Sequence, residues 1–174
     1  MKSILAIVSL LACLTVSVRP ATLQTEDCGF PFQLVEGLCI LIYPRERGNW
    51  FEMRLFCAEQ STGGNLVKIT TPSQLVAIQE AIHQSGHNET HYWISATDEA
   101  QEGVWQYTDG TDVPMGPFFW RYECSEGYPL RPSHDPNANC AALDQETHYH
   151  MADFSCQGDV GSIPFSPICQ KNIY

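Results

Sequence analysis

Basic residues are scarce in this chain: 9 Lys and Arg stand against 20 Asp and Glu, for a formal charge of −11 at pH 7. That shortage argues against nucleic acid or an anionic membrane surface as a partner, because both are bound by basic side chains that neutralise phosphate. Also lacking is an apolar run long enough to cross a bilayer, for which about 20 residues are needed. The longest run, Ile4 to Val16, follows Lys2 and gives way to small and polar residues. It reads as a signal sequence spanning 1–17, cleaved after Ser17 or as late as 25, and implies secretion to the extracellular space without membrane insertion. Repeats, low-complexity tracts and long Gly/Ser linkers are absent. There is no nucleophile elbow and no His-Glu-x-x-His helix, so catalysis has no positive support and the chain is not expected to be an enzyme.

Cysteine, in contrast, is plentiful at 8 residues. Cys13 leaves with the leader. Cys28, Cys39, Cys57, Cys140, Cys156 and Cys169 form an even set, which in an exported chain means a disulfide framework and not a cytosolic redox or zinc site. Cys124 is left over, and an odd thiol in an oxidising compartment points to an intermolecular bond or, alternatively, to a buried or capped thiol. A disulfide-linked homodimer through Cys124 is the expectation. The mature chain, roughly 155 residues, is the size of one domain with one core, placed at 28–170.

Two short β-type runs around a turn at Glu36-Gly37 come first, flanked by Cys28 and Cys39. Asn49-Trp50-Phe51-Glu52 pairs an N-cap residue with an acid three positions on, followed by Met53, Phe56 and Cys57 on one face, which predicts a helix over about 50–60. Thr71-Pro72-Ser73-Gln74 repeats that start signal with proline at the first helical position, and Leu75, Ile78 and Ile82 supply an apolar face. From Tyr92 onward the pattern changes to short strands, at 92–94, 104–107 and 139–143, separated by Gly, Asp and Pro. The order suggests an α+β fold. The stretch Asp109 to Asn137 holds five prolines and no periodicity, and is expected to be an ordered recognition loop.

Trp93-Ile94-Ser95-Ala96, followed by Glu102-Gly103-Val104-Trp105 and Asp109-Gly110, resembles the core tetrapeptide and succeeding segment of the C-type lectin-like domain. The two helices and the late cysteines fall in that family's order, so the resemblance covers about Cys28 to Cys169. It implies two helices with short antiparallel sheets, a long loop region, and the pairings Cys28–Cys39, Cys57–Cys169 and Cys140–Cys156.

The resemblance also implies where a calcium-dependent sugar site would lie, and the residues there depart from the family pattern. By spacing to Cys140 the loop motif falls on Arg131-Pro132-Ser133, with Tyr128-Pro129-Leu130 second; Asp135-Pro136-Asn137 has the right oxygens but sits too close to the cysteine. The expected Glu falls on Ala138 and the Asn-Asp pair on Ala152-Asp153. Arginine and alanine offer calcium no oxygen, so the primary site should be weak or absent. Asp98 and Glu102, with Asp153 as a further acid, remain candidate ligands, the first two at an auxiliary calcium site. No other cofactor is expected. The candidate ligand loop comprises Trp120, Arg131, Ser133, Asp135, Asn137 and Asp153; Trp50, Trp93 and Trp105 sit in strand or helix patterns and read as core.

Two smaller features complete the reading. Asn88-Glu89-Thr90 is an N-glycosylation acceptor. His148-Tyr149-His150 would put two imidazoles on one face if extended, with Asp153 or His134 as a third ligand, although two histidines do not make a metal site. The expected function is a secreted recognition protein for microbial or cell-surface glycans in innate immunity; the alternative is a sugar-silent module for a protein ligand.

Overall fold

The computed structural model describes residues 28–121, 131–158 and 163–172. The proposed leader at 1–17 and Cys124 lie outside the described residues.

The elements in chain order are β1 (Gln33–Val35), β2 (Leu38–Ile42), α1 (Trp50–Gln60), β3 (Asn65–Leu66), α2 (Pro72–Ser85), β4 (His91–Thr97), β5 (Gln106–Tyr107), β6 (Cys140–Asp144), a 3-10 turn (Gln145–Thr147), β7 (His150–Phe154) and β8 (Phe165–Lys171). The β1–β2 hairpin turns on Glu36 and Gly37, both at positive φ, the conformation that matches a two-residue turn to the right-handed twist of its strands.

Both helices begin with the reciprocal caps written in the sequence. Asn49 Oδ1 accepts from the Glu52 N–H while Glu52 accepts from the Asn49 N–H; Thr71 and Gln74 do the same for α2, with Pro72 at its first position. Each pair satisfies two backbone donors that a helix start leaves open. Trp50, Met53 and Cys57 form the buried face of α1, and Leu75, Ile78 and Ile82 that of α2. After α1 the chain doubles back so closely that a Cβ on Gly64 would stand 2.3 Å from the Cys57 carbonyl oxygen, so only glycine fits.

The strands form one sheet in the order β1-β2-β8-β4-β6-β7, with β3 on β8 and β5 on β4. Its neighbours are antiparallel except β4 and β8, which run parallel through His91↔Phe165, Tyr92↔Ser166 and Trp93↔Pro167. The short antiparallel sheets expected from the sequence are thus joined into a mixed sheet. A parallel partner more than seventy positions away leaves no local signature, whereas a hairpin partner is announced by its turn. The run 104–107 is also trimmed: only Gln106–Tyr107 pairs with β4, and Val104 is exposed in the preceding turn.

Two hydrophobic clusters flank the sheet. One gathers α2 with Ile94, Trp105, Trp120 and Ile168; the other gathers α1, Trp93, Phe165 and the cysteines. The indole N–H groups bind main chain, Trp50 to the Ile94 carbonyl at 2.8 Å and Trp93 to the Gly48 carbonyl at 3.0 Å, so these rings are buried without an unpaired donor. The three disulfides join Cys28 to Cys39, Cys57 to Cys169 and Cys140 to Cys156, with Cα separations of 5.4, 5.1 and 5.0 Å.

The Cys57–Cys169 bridge spans 112 positions and Cys28–Cys39 only 11, and a longer closed loop removes more freedom from the unfolded chain. Replacing Cys57 and Cys169 together by serine is expected to cost about 4–5 kcal/mol, and the Cys28/Cys39 pair about 2–3 kcal/mol. Urea unfolding of the two double variants measures the difference; an equal or reversed ranking contradicts it.

Candidate functional site

Asp153 lies on β7 opposite Ala141, with 1% of its surface exposed. A carboxylate buried this deeply is costly unless it is paired and hydrogen-bonded, and both conditions are met by the segment 131–133. Arg131 Nη1 donates to Asp153 Oδ1 at 2.9 Å and to the Asp153 carbonyl at 3.1 Å. The Ser133 N–H reaches Oδ2 at 2.9 Å, and the Ser133 hydroxyl donates to the same oxygen. Both carboxylate oxygens are therefore occupied by the chain itself. This corrects the expectation that Asp153 serves as a metal ligand or faces a bound ligand: its partner is a guanidinium twenty-two positions upstream.

Trp120 requires a second correction. It is 1% exposed, packs edge-on against Trp105 at 5.0 Å and donates Nε1–H to the Pro114 carbonyl at 3.0 Å. Main-chain bonds on either side, Met151 N–H to the Phe119 carbonyl and Arg121 N–H to the Met151 carbonyl, both 2.8 Å, bind this segment to β7. Trp120 is a core residue that anchors the long loop, and it presents no stacking face.

Asp135 and Asn137 are exposed and do not join the Arg131–Asp153 cluster. Asp135 Oδ1 accepts from the Asn137 N–H and from Asn137 Nδ2, each at 3.0 Å. Those bonds, with a smaller contribution from Arg131, hold the Asp135 carboxyl below the usual carboxylate range. They leave Asp135 Oδ2 and Asn137 Oδ1 as outward acceptors on a loop whose base is fixed to β7.

Asp98 shows the opposite arrangement. It is 2% exposed; Oδ2 accepts from the Gly103 N–H at 2.9 Å, but Oδ1 is buried without a hydrogen-bond partner. Asn139 Oδ1 is also buried and unpartnered, and the two segments are tied by the Asp98 N–H to the Asn139 carbonyl at 3.2 Å. Desolvation pushes the Asp98 pKa up; the Gly103 hydrogen bond opposes this, while the negative charges of Glu102 and Asp153 add to it. The orphaned oxygens of Asp98 and Asn139, and the exposed carboxylate of Glu102, suit a hard cation in donor type. In number they fall short of the 6–8 oxygens of a full calcium shell, so water would have to supply the rest. The Arg131–Asp153 cluster, whose carboxylate oxygens are already hydrogen-bonded, does not suit one.

Among the described residues, no group of three or more His, Cys, Asp or Glu is placed to hold a metal ion. His148 has φ 56° and Tyr149 φ 64°, so the backbone is left-handed where the His148/His150 pairing required it to be extended, and His134 is exposed elsewhere on the surface. Asn88 is exposed in the connection between α2 and β4. Two features gave no sequence signal: the pairing of Arg131 with Asp153, and the orphaned Asn139 oxygen. Both arise where loop and strand meet in space.

The sequence model of the Lectin C-type domain family matches residues 46–170. Hepatic lectin of Gallus gallus is 30% identical over 135 residues, covering 68% of this chain and 61% of that protein. C-type lectin domain family 17, member A of Homo sapiens is 28% identical over 121 residues, covering 70% of this chain and 27% of that one. The chain thus spans less than two thirds of either relative. Among solved structures, the C-type lectin CEL-I from Cucumaria echinata superposes with a TM-score of 0.67 at 15% identity, over 85% of this chain and 99% of that one. A herring type II antifreeze protein superposes with a TM-score of 0.65 at 18% identity, over 84% and 100%.

Removing the guanidinium leaves Asp153 buried with its charge uncompensated. Arg131→Ala is expected to destabilise by about 3–5 kcal/mol, and adding Asp153→Ala to recover part of that loss. Urea denaturation of both single variants and the double variant reads the coupling; strictly additive losses would show that the pair contributes nothing.

For Asp98 the folded state raises the pKa above the ordinary carboxylate value of 3.8, so the charged form carries a penalty in the fold at neutral pH. That penalty fades as pH falls through the raised value and is gone below the unfolded one. In calcium-free buffer Asp98→Asn is expected to be about 1 kcal/mol more stable than the parent near pH 7, with the gain shrinking towards pH 3. Thermal unfolding at a series of pH values checks the sign; a gain that grows on acidification contradicts it.

Proposed function

The chain belongs to the C-type lectin domain family, and from that premise we propose that it is a secreted carbohydrate-recognition protein. Its targets are microbial or cell-surface glycans in innate immunity, and recognition proceeds without a complete calcium–sugar site. The observation that carries the reading is the Arg131–Asp153 closure. It supplies from within the chain a positive charge that ties the 131–137 loop to β7, leaving Asp135 and Asn137 outward on a loop that needs no metal to hold its base.

A guanidinium has no open coordination position to offer a sugar hydroxyl, so recognition on this face rests on direct hydrogen bonds and not on a bridging cation. Calcium belongs, in this reading, at the Asp98–Asn139 oxygens with Glu102 beside them, where it would compensate buried charge and order the 98–103 turn without touching sugar. A glycan on exposed Asn88 and a homodimer linked through Cys124 complete the proposal; the dimer would set two loops side by side and raise apparent affinity for a repetitive surface.

The same closure favours a second reading, in which the domain binds a protein ligand and is silent towards sugar. The herring antifreeze protein carries this fold under a name that mentions no sugar, and fold by itself does not fix the ligand.

A glycan array with and without chelator separates the two. Carbohydrate recognition predicts retention of at least one glycan class to a similar extent in both conditions. Calorimetry on the same preparation should find calcium affinity no better than ~10⁻⁴–10⁻³ M, lost in Asp98→Ala. An array that retains nothing in either condition sinks the lectin reading. Retention abolished by chelator sinks the metal-independent mechanism.

A further inference from the structure

A cleft of ≈ 210 Å³ opens between β3, the turn after β5 and the end of β8, sharing no residue with the Arg131–Asp153 or Asp98–Asn139 clusters. It is smaller than the ~300–1,000 Å³ typical of drug-sized ligands, which leaves room for one compact ring. Its walls come from three separated parts of the sequence: Asn65 and Lys68, Thr108 and Asp109, Gln170 and Asn172.

Hydrogen-bond accounting gives this cleft its chemistry. Asp109 Oδ1 accepts from the Thr111 N–H at 3.0 Å and the Thr111 hydroxyl at 2.6 Å, while Oδ2 accepts from Lys68 Nζ at 2.7 Å. Asn65 Oδ1 accepts from the Leu66 N–H at 2.9 Å, and Thr108 Oγ1 accepts from Asn65 Nδ2 at 2.8 Å. Gln170 Oε1 accepts from the Lys68 N–H at 2.9 Å. The side-chain acceptors are largely spent, and the donors are not. An ammonium has three hydrogens and an amide nitrogen two. Lys68 Nζ, held 5.3 Å over the Tyr107 ring, has given one to Asp109. Gln170 Nε2 and the Thr108 hydroxyl hydrogen are uncommitted. Lys68 also offsets the charge of Asp109, so that carboxylate does not by itself repel an anion entering here.

A recess with unspent donors, neutralised charge and space for one ring selects a compact, acceptor-rich anion. We propose that this cleft binds the carboxylate-bearing residue of an acidic polysaccharide, a hexuronate, with the carboxylate between Lys68 Nζ and Gln170 Nε2 and ring oxygens towards Thr108 and Asn172. The inference rests on the carbohydrate-recognition reading and places a subsite of it away from the long loop.

Sodium glucuronate and glucose, titrated separately into the full-length secreted protein by calorimetry, test it. Glucuronate is expected to bind with a dissociation constant on the order of 1 mM and glucose at least tenfold more weakly. Gln170→Glu keeps the acceptor for the Lys68 N–H but exchanges the free donors for a charge, and should weaken glucuronate at least tenfold at an unchanged unfolding midpoint. Lys68→Ala should do the same. Equal affinity for the two sugars, or parental glucuronate binding in both variants, overturns the assignment. Neutral glycans retained on the array by a protein that does not take up glucuronate would sink the cleft and leave the proposed function standing; retention of no glycan sinks both.

Discussion

The covalent tie between α1 and β8 is the constraint on which the rest of this structure depends. Cys57 sits on the buried face of α1 and Cys169 in the middle of β8, and β8 takes β2, β3 and β4 as neighbours. The parallel β4–β8 pairing closes a long loop for only three registered positions, a poor exchange of chain entropy for contacts on its own. With the bridge in place that loop is already confined. The indole of Trp50 then reaches the Ile94 carbonyl and Trp93 stacks on Phe165 at 4.2 Å, packing α1 and β8 against β4.

On the scaffold so fixed, two buried carboxylates meet the same problem in different ways. Asp153 is neutralised by a guanidinium and fully hydrogen-bonded, so its burial is compensated within the chain. Asp98 keeps one oxygen unpartnered, as does Asn139, whose main-chain carbonyl accepts from the Asp98 N–H, and an unpaired buried carboxylate is costly in its charged form. The contrast is one of chemistry: one carboxylate has both oxygens hydrogen-bonded within the chain, and the other keeps one oxygen unpartnered. It also gives Arg131 a structural part of its own on this face. Its guanidinium supplies the charge that holds the loop in place.

Much of the local structure was legible in the sequence. The caps at Asn49 and Thr71, the apolar faces of both helices, the turn at Glu36-Gly37 and the six framework cysteines each rest on residues within a few positions of one another, or on a family pattern of motifs kept intact here. The candidate site was legible only as a roster. Arg131, Ser133, Asp135, Asn137 and Asp153 could be named, but the sequence could not say that Arg131 would turn inward to Asp153 while Asp135 and Asn137 turned out. Trp120 was misplaced for the same reason: beside a proline-rich loop it resembles a surface aromatic until Trp105 and Met151 are seen to enclose it.

By itself, then, the sequence determined the element types, the cysteine framework and the acidic balance that narrows the range of partners, because these follow from propensities, spacings and sums that do not require knowing what lies across the fold. Tertiary structure alone decided which buried carboxylate is paired, which indole is enclosed and where unspent donors converge. Desolvation and hydrogen bonding act between groups brought together by folding, such as Lys68 with Asp109 or Arg131 with Asp153, and their strength depends on burial and distance, which no linear pattern of residues records.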